Sequence, residues 1–175
     1  MLSLAAKLEA VSKWTGYAIA WLTLLMVVIT FLVVILRYLF NLGWISMQES
    51  VSYLHAINFM LGAAFTLKQD SHVRVDIFYQ KFGPRGRAWV DLLGTLFLLL
   101  PVCGFIFWSS LDYVSASWAV GESSGEAGGL AWVYLLKSLL LLMPLLLLIQ
   151  GGAWLLKNAH ILLTTPATSG KRGGA

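Results

Sequence analysis

The chain has 175 residues, of which 59% are hydrophobic and 11% charged, with a formal net charge of +4. A soluble domain carries about 25% charged residues, and one of this length buries only about 70% of its unfolded surface. That excludes a water-soluble globule and makes lipid the solvent, and because the basic residues gather at segment ends and loops rather than along one polar face, they suit anionic head groups and exclude a nucleic-acid surface.

Residues 1–13 place Leu4, Leu8 and Val11 on one helical face, with Lys7, Glu9 and Lys13 elsewhere. The pattern fits a short interfacial amphipathic helix or, as readily, the frayed start of a first span. Lys7 and Lys13 precede an apolar run as they would in a signal peptide. The run from Tyr17 to Leu36 is too long for that and ends without a small-residue cleavage site, so it reads as a retained span.

Span 1 covers about residues 14–40, with aromatic rings (Trp14, Tyr17, Trp21; Tyr38, Phe40, Trp44) grouped towards its two ends as interfaces favour. Asn41-Leu42-Gly43 forms a tight turn, and span 2 follows over about 45–67. On a helical wheel Gln48, Ser52, His55, Gly62 and Thr66 share one stripe, with Asn58 at its margin. Polar and small groups on a membrane helix face protein, because lipid offers them no partner.

The loop KQDSHVRVDIFYQKFGPRGR, Lys68 to Arg87, carries five basic residues and two acids. Such a connection resists translocation. His72-Val73-Arg74-Val75-Asp76 alternates polar and apolar residues, which predicts an extended stretch. Asp76 is then placed to cap a short interfacial helix bearing Ile77, Phe78 and Phe82. Spans 3 and 4 cover about 88–114 and 132–157, with Pro101 and Pro144 near their midpoints, each predicted to kink its helix. The glycine-rich segment between them has no Lys or Arg, and residues 161–175 read as a disordered tail. Ten of the twelve basic residues fall on the side of the termini and the middle loop, which predicts both termini in the cytoplasm. The fold class is therefore an all-α membrane protein: four spans in two hairpins, within one domain over 14–160.

Charge inside spans is rare and marks structure or function. Arg37 and Glu49 lie equally far from Gly43 on either side of the first turn, and Asp112 and Lys137 flank the second at matched distances. Both sets are expected to pair at the outer rim, orienting the hairpins or docking another protein; ion transport by Glu49 alone is the remaining reading. Cys103 is the single cysteine, so no intrachain disulfide forms. His55 lies roughly 13 Å below the outer end of span 2, whereas His72 and His160 belong at the opposite edge. A haem held by two histidines at one depth is disfavoured, and so is a redox anchor. No GxSxG or phosphate-binding loop is present, and nothing points to catalysis or to a cofactor.

Arg37-Tyr38 closing span 1, Trp44 with Glu49 opening span 2, and KQDSHVRVDIF together resemble the small membrane subunit of tripartite ATP-independent periplasmic (TRAP) transporters, the DctQ type. Gly128-Gly129-Leu130, Lys137 and Gln150-Gly151 are similar to one branch of it. The resemblance runs from about Trp14 to Trp154, with HVRVD its most specific part. It implies an accessory brace for a large multi-span subunit that carries the substrate and sodium sites, with a periplasmic binding protein delivering an organic anion, commonly a carboxylate. A stand-alone proton-coupled four-helix exporter is the rival, weakened by the position of Glu49 near a span end. The residues singled out for structure or partner contact are Arg37, Trp44, Glu49, Ser52, His55, His72, Arg74, Asp76, Asp112 and Lys137.

Overall fold

The computed structural model describes residues 2–69, 79 and 81–164, and these hold five α-helices and one π-helical turn, with no strand among them. Helix α1, Leu2–Phe40, is continuous. Its sequence contains no proline and only one glycine, so nothing interrupts the backbone ladder at the junction around residue 13. At about 1.5 Å per residue its 39 residues extend for about 58 Å, far beyond a hydrocarbon layer of about 30 Å. Asn41 adopts a left-handed φ of 52°, and the Leu42 N–H closes the helix end on the Leu36 carbonyl at 2.9 Å.

Helix α2, Ile45–Lys68, begins after an extended Trp44 that offers no side-chain cap. The Ser46 N–H instead donates to the Gly128 carbonyl of the distant loop at 3.1 Å. A helix N-terminus with orphan donors is thus satisfied by the other hairpin. Helix α3, Pro84–Gly94, starts on Pro84, whose missing N–H costs nothing in a first turn. The π-helical turn Thr95–Leu99 and helix α4, Leu100–Val120, complete the third span without a break. Helix α5, Val133–Thr164, continues without a break past a buried Pro144.

Pro101 cannot donate a backbone hydrogen bond and its ring crowds the carbonyl of Phe97. The chain responds one turn earlier, where the Leu100 N–H bonds to the Thr95 carbonyl five residues back. The widened turn presses on Gly151 of α5: a Cβ there would lie 2.6 Å from Leu99 Cδ2 and 3.4 Å from Thr95 Cγ2. The bulge and the glycine therefore fit each other.

Helix α5 is the centre of the arrangement, packing against α1, α2, α3 and α4. The first hairpin, α1 with α2, and the third span lie on different parts of it, without substantial packing between them. Contacts are made through small residues: Ala5, Ala64 and Ala153 are fully buried, while Trp14, Trp21, Phe31 and Trp108 are exposed. Such an inside-out distribution is how helices pack in lipid, where close backbone approach rather than burial of large side chains drives association. Among the described residues, four helical stretches are long and apolar enough to cross a membrane. The expected spans are all present, and each helix runs past at least one of the limits read from the sequence.

Residues 2–13 do more than start a span. Ala5 and Ser12 are buried, and the Ser12 hydroxyl donates to Gln150 Oε1 at 2.7 Å. Lys157 pairs with Glu9 across the same helix contact. The amphipathic segment is continuous with the first span and bonded to the distal half of α5.

Candidate functional site

Three charged groups, Glu49, Glu122 and Lys137, converge at the loop between α4 and α5. Gly121 ends α4 with φ 58°, the left-handed conformation that glycine reaches without strain. The Glu122 N–H then reaches back to the Ser117 carbonyl at 3.1 Å, and the Gly121 N–H to Trp118 at 3.2 Å. This double closure aims the Glu122 side chain at the next helix, where Lys137 Nζ meets it. The ammonium also sits 4.0 Å above the ring of Tyr113, a cation–π contact. The hydrogen bond from Lys137 holds the Glu122 carboxyl below the usual carboxylate range. Beside it, Trp118 Nε1 donates to Ser138 Oγ at 2.9 Å and its ring meets Tyr134 edge-on at 4.7 Å.

Glu49 ties the first hairpin to this loop. One carboxylate oxygen accepts the Ser124 hydroxyl; the other accepts the Leu130 N–H at 2.6 Å. Ser124 N–H in turn donates to the Leu130 carbonyl at 2.8 Å, closing the loop on itself. Gly128 has φ 82°, and a Cβ on Gly129 would stand 2.6 Å from Ser124 Cβ and 2.9 Å from Glu49 Oε1. Only glycine lets the loop backbone approach the carboxylate this closely. Glu49 is thus a clamp, with both oxygens occupied by the loop.

This corrects two expected pairs. Glu49 bonds Ser124 and Leu130 rather than Arg37, because equal spacing from a turn sets depth but not the direction a side chain takes around the helix. Arg37 is exposed and lines a cleft of about 10 Å³ with Trp44 and Gln48 at the first turn. Lys137 takes Glu122 rather than Asp112, which is exposed and has no ion pair with a described residue. The glycine-capped end of α4 brings the loop acid nearer than the helical one. Asp112 instead receives the Ser115 hydroxyl on its backbone carbonyl at 3.0 Å.

Ser52 and His55 are exposed on α2, so the polar stripe of this helix is not turned into the chain's own bundle. His72, Arg74 and Asp76, with the extended stretch and the helix cap expected there, lie outside the described residues. Sequence reasoning passed over Ser124, Glu122, Ser12 and Gln150 as partners. Gly128-Gly129 and Gln150-Gly151 were visible, the first marking where backbone approaches Glu49 and Ser124, the second where α5 meets the widened turn of the third span. On the other flank of α5, an open groove of about 720 Å³ is lined by Leu67, Phe82, Val90, Leu98, Val102 and Trp154 among others.

The arrangement performs one physical task well: it locks two hairpins together at one face through a loop. Compared with known proteins, the chain is 36% identical over 77 residues to a Haemophilus influenzae protein (strain ATCC 51907 / DSM 11121 / KW20 / Rd) provisionally named a TRAP transporter small permease protein. That stretch covers 43% of this chain and 47% of the relative, so the match spans about half the length of that protein. No solved structure matches. The family model described as "Tripartite ATP-independent periplasmic transporters, DctQ component" matches residues 26–161, from the middle of α1 almost to the end of α5. With four membrane-spanning helices inside a match of that extent, the chain belongs to the DctQ family and is a multi-pass inner-membrane protein.

Proposed function

We propose that this chain is the accessory small subunit of a sodium-coupled, binding-protein-dependent importer of an organic anion, a carboxylate foremost. Its partners are a large membrane subunit, which holds the sodium and substrate sites, and a periplasmic binding protein. Both termini and the basic middle loop face the cytoplasm, and the loop of residues 121–132 faces the periplasm. The observation that carries this reading is the use made of the membrane-flanking charges within the family match. Glu49 is occupied by Ser124 and Leu130, and Glu122 by Lys137. Carboxylates held in this way brace a scaffold; an exporter driven by proton exchange needs one that is free to bind and release its proton.

The test is reconstitution in proteoliposomes. The large subunit, the binding protein and this chain together should take up the anion in response to a sodium gradient. Omitting this chain should abolish uptake or reduce it strongly. Substrate-specific transport by this chain alone would refute the accessory role.

A further inference from the structure

The polar and small residues Gln48, Ser52, His55, Gly62 and Thr66 share one face of α2, with Phe59 filling the remaining position. Gln48, Ser52, His55, Phe59, Gly62 and Thr66 recur at alternating steps of four and three residues. That 3.5-residue period is the spacing of a helix seam built for knobs-into-holes contact with a second helix. It runs for about 27 Å at 1.5 Å per residue, close to the full hydrocarbon thickness. From Gln48 to Phe59 the chain's own helices leave it uncovered, while Gly62 and Thr66 are half-buried. Gln48, Ser52 and His55 are exposed, Phe59 is 75% exposed, and Gly62 has nothing within 4 Å of where a Cβ would sit. The opposite face, with Ser50, Ile57 and a fully buried Ala64, is the one turned inward.

The side chains of Gln48, Ser52 and His55 make no hydrogen bond with any described residue, while Thr66 returns its hydroxyl to the Gly62 carbonyl of its own helix at 3.1 Å. Gln48 lies at the rim beside Glu49, but Ser52 and His55 lie deeper, where acyl chains offer their polar groups no partner and a protein surface does. A second copy of this chain is a poor occupant. Copies in one membrane share an orientation, and a parallel two-fold contact sets like against like. Phe59 would then oppose Phe59 and Gly62 oppose Gly62, crowding one layer and emptying the next. The better cover is a different helix, small where Phe59 protrudes, large where Gly62 recedes, and bearing neutral hydrogen-bonding groups beside Ser52 and His55.

We infer that this stripe of α2 is the seam against which a transmembrane helix of the large membrane subunit docks. The inference rests on the small-subunit reading above and specifies which surface makes the joint.

The experiment uses the complete complex in native membranes. A benzophenone-bearing amino acid is placed singly at Ser52, Phe59 or Ile57 and co-expressed with the tagged large subunit of the same transport system. Illumination should join positions 52 and 59 to the large subunit, with Ile57 at least ten-fold weaker. Gly62→Leu, whose Cβ meets nothing within 4 Å in this chain, should lower the large subunit recovered per small subunit by ten-fold or more at an unchanged level of the small subunit. Adducts to a second copy of this chain would overturn the inference, as would equal adducts at Ile57. If the complex co-purifies but the seam positions join no protein, or Gly62→Leu is recovered normally, the seam is wrong and the subunit assignment stands. If the unaltered chain fails to co-purify with the large subunit, both fall.

Discussion

Gly16 of α1 lies against the ring of Phe65 in α2, and replacing it gives a sharp test of how the first hairpin closes. A Cβ built on Gly16 would stand 2.6 Å from both Cε2 and Cγ of the ring, with Cδ2 nearer still. Ordinary contact begins near 3.4 Å, so Gly16→Ala is short of room by at least about 0.8 Å. Because Cγ is attached directly to Phe65 Cβ, turning the ring about its own axis does not remove the overlap. The rotamer must change or the helices must separate. Overpacking of this kind costs about 1–3 kcal/mol, while exchanging a helical glycine for alanine returns about 1 kcal/mol. The expected net destabilisation is thus about 0–2 kcal/mol. In a Phe65→Ala background the overlap is gone, and the same substitution should stabilise by up to about 1 kcal/mol. The double-mutant coupling should then be about 1–3 kcal/mol. Unfolding by dodecyl sulfate in mixed micelles, followed by tryptophan fluorescence, measures all four variants. If Gly16→Ala has the same effect in both backgrounds to within about 0.5 kcal/mol, the reasoning is refuted.

At the loop clamp, Glu49→Ala should raise the rate of proteolytic cleavage within residues 121–132 several-fold, with Glu49→Gln intermediate because it retains an acceptor for Leu130. Equal protection in all three forms would remove Glu49 from its role. For Glu122, the folded pKa lies below the ordinary value, so its pairing stabilises the protein above the unfolded carboxylate range and is lost as pH falls through the depressed pKa. The thermal stability gap between wild type and Glu122→Gln should accordingly be constant near neutrality and close only on acidification below about pH 4.5; a gap that closes between pH 6 and 8 would contradict this. Ser12→Ala leaves the buried Gln150 oxygen unpaired and should destabilise by about 0.6–1.7 kcal/mol in micelles, whereas the Ser12→Ala, Gln150→Leu double variant should recover most of that. For orientation, with Cys103→Ser, a cysteine at Ser123 should react with an impermeant thiol reagent in intact cells and one at Gln80 only after the inner membrane is opened; the reverse pattern would invert the topology.

The four spans were legible because lipid imposes a simple demand on sequence: long uncharged stretches with aromatic ends. Their true ends were not, since hydropathy registers the part of a helix that meets acyl chains. Leu2–Lys13 instead meets the later half of α5, through Ser12 with Gln150 and Glu9 with Lys157. The charged pairs were misread for a geometric reason. Distance from a turn fixes how deep Glu49 and Lys137 sit, but their azimuth and a glycine-shaped loop decide which partner they meet. Periodicity revealed that Ser52 and His55 share a face. It carries no information on whether that face turns towards the chain's own helices or away from them. Pro101 signalled a disturbed helix, but the remedy, a widened turn seated on Gly151, depended on a residue fifty positions later.

The central place of α5 also dictates an order of assembly. As the chain is made, α1 and α2 can associate as soon as both have entered the bilayer, for they pack directly on one another. The third span meets no comparable surface on that hairpin. Its helix, with the π-helical turn and its neighbouring proline, must wait in lipid until the last span is inserted. Gly151 and the glycine-rich loop that holds Glu49 then arrive together, closing the two halves in one event near the end of synthesis. A truncated chain lacking α5 would leave a hairpin and an orphan helix, the form in which membrane quality control would meet any copy whose synthesis stopped early.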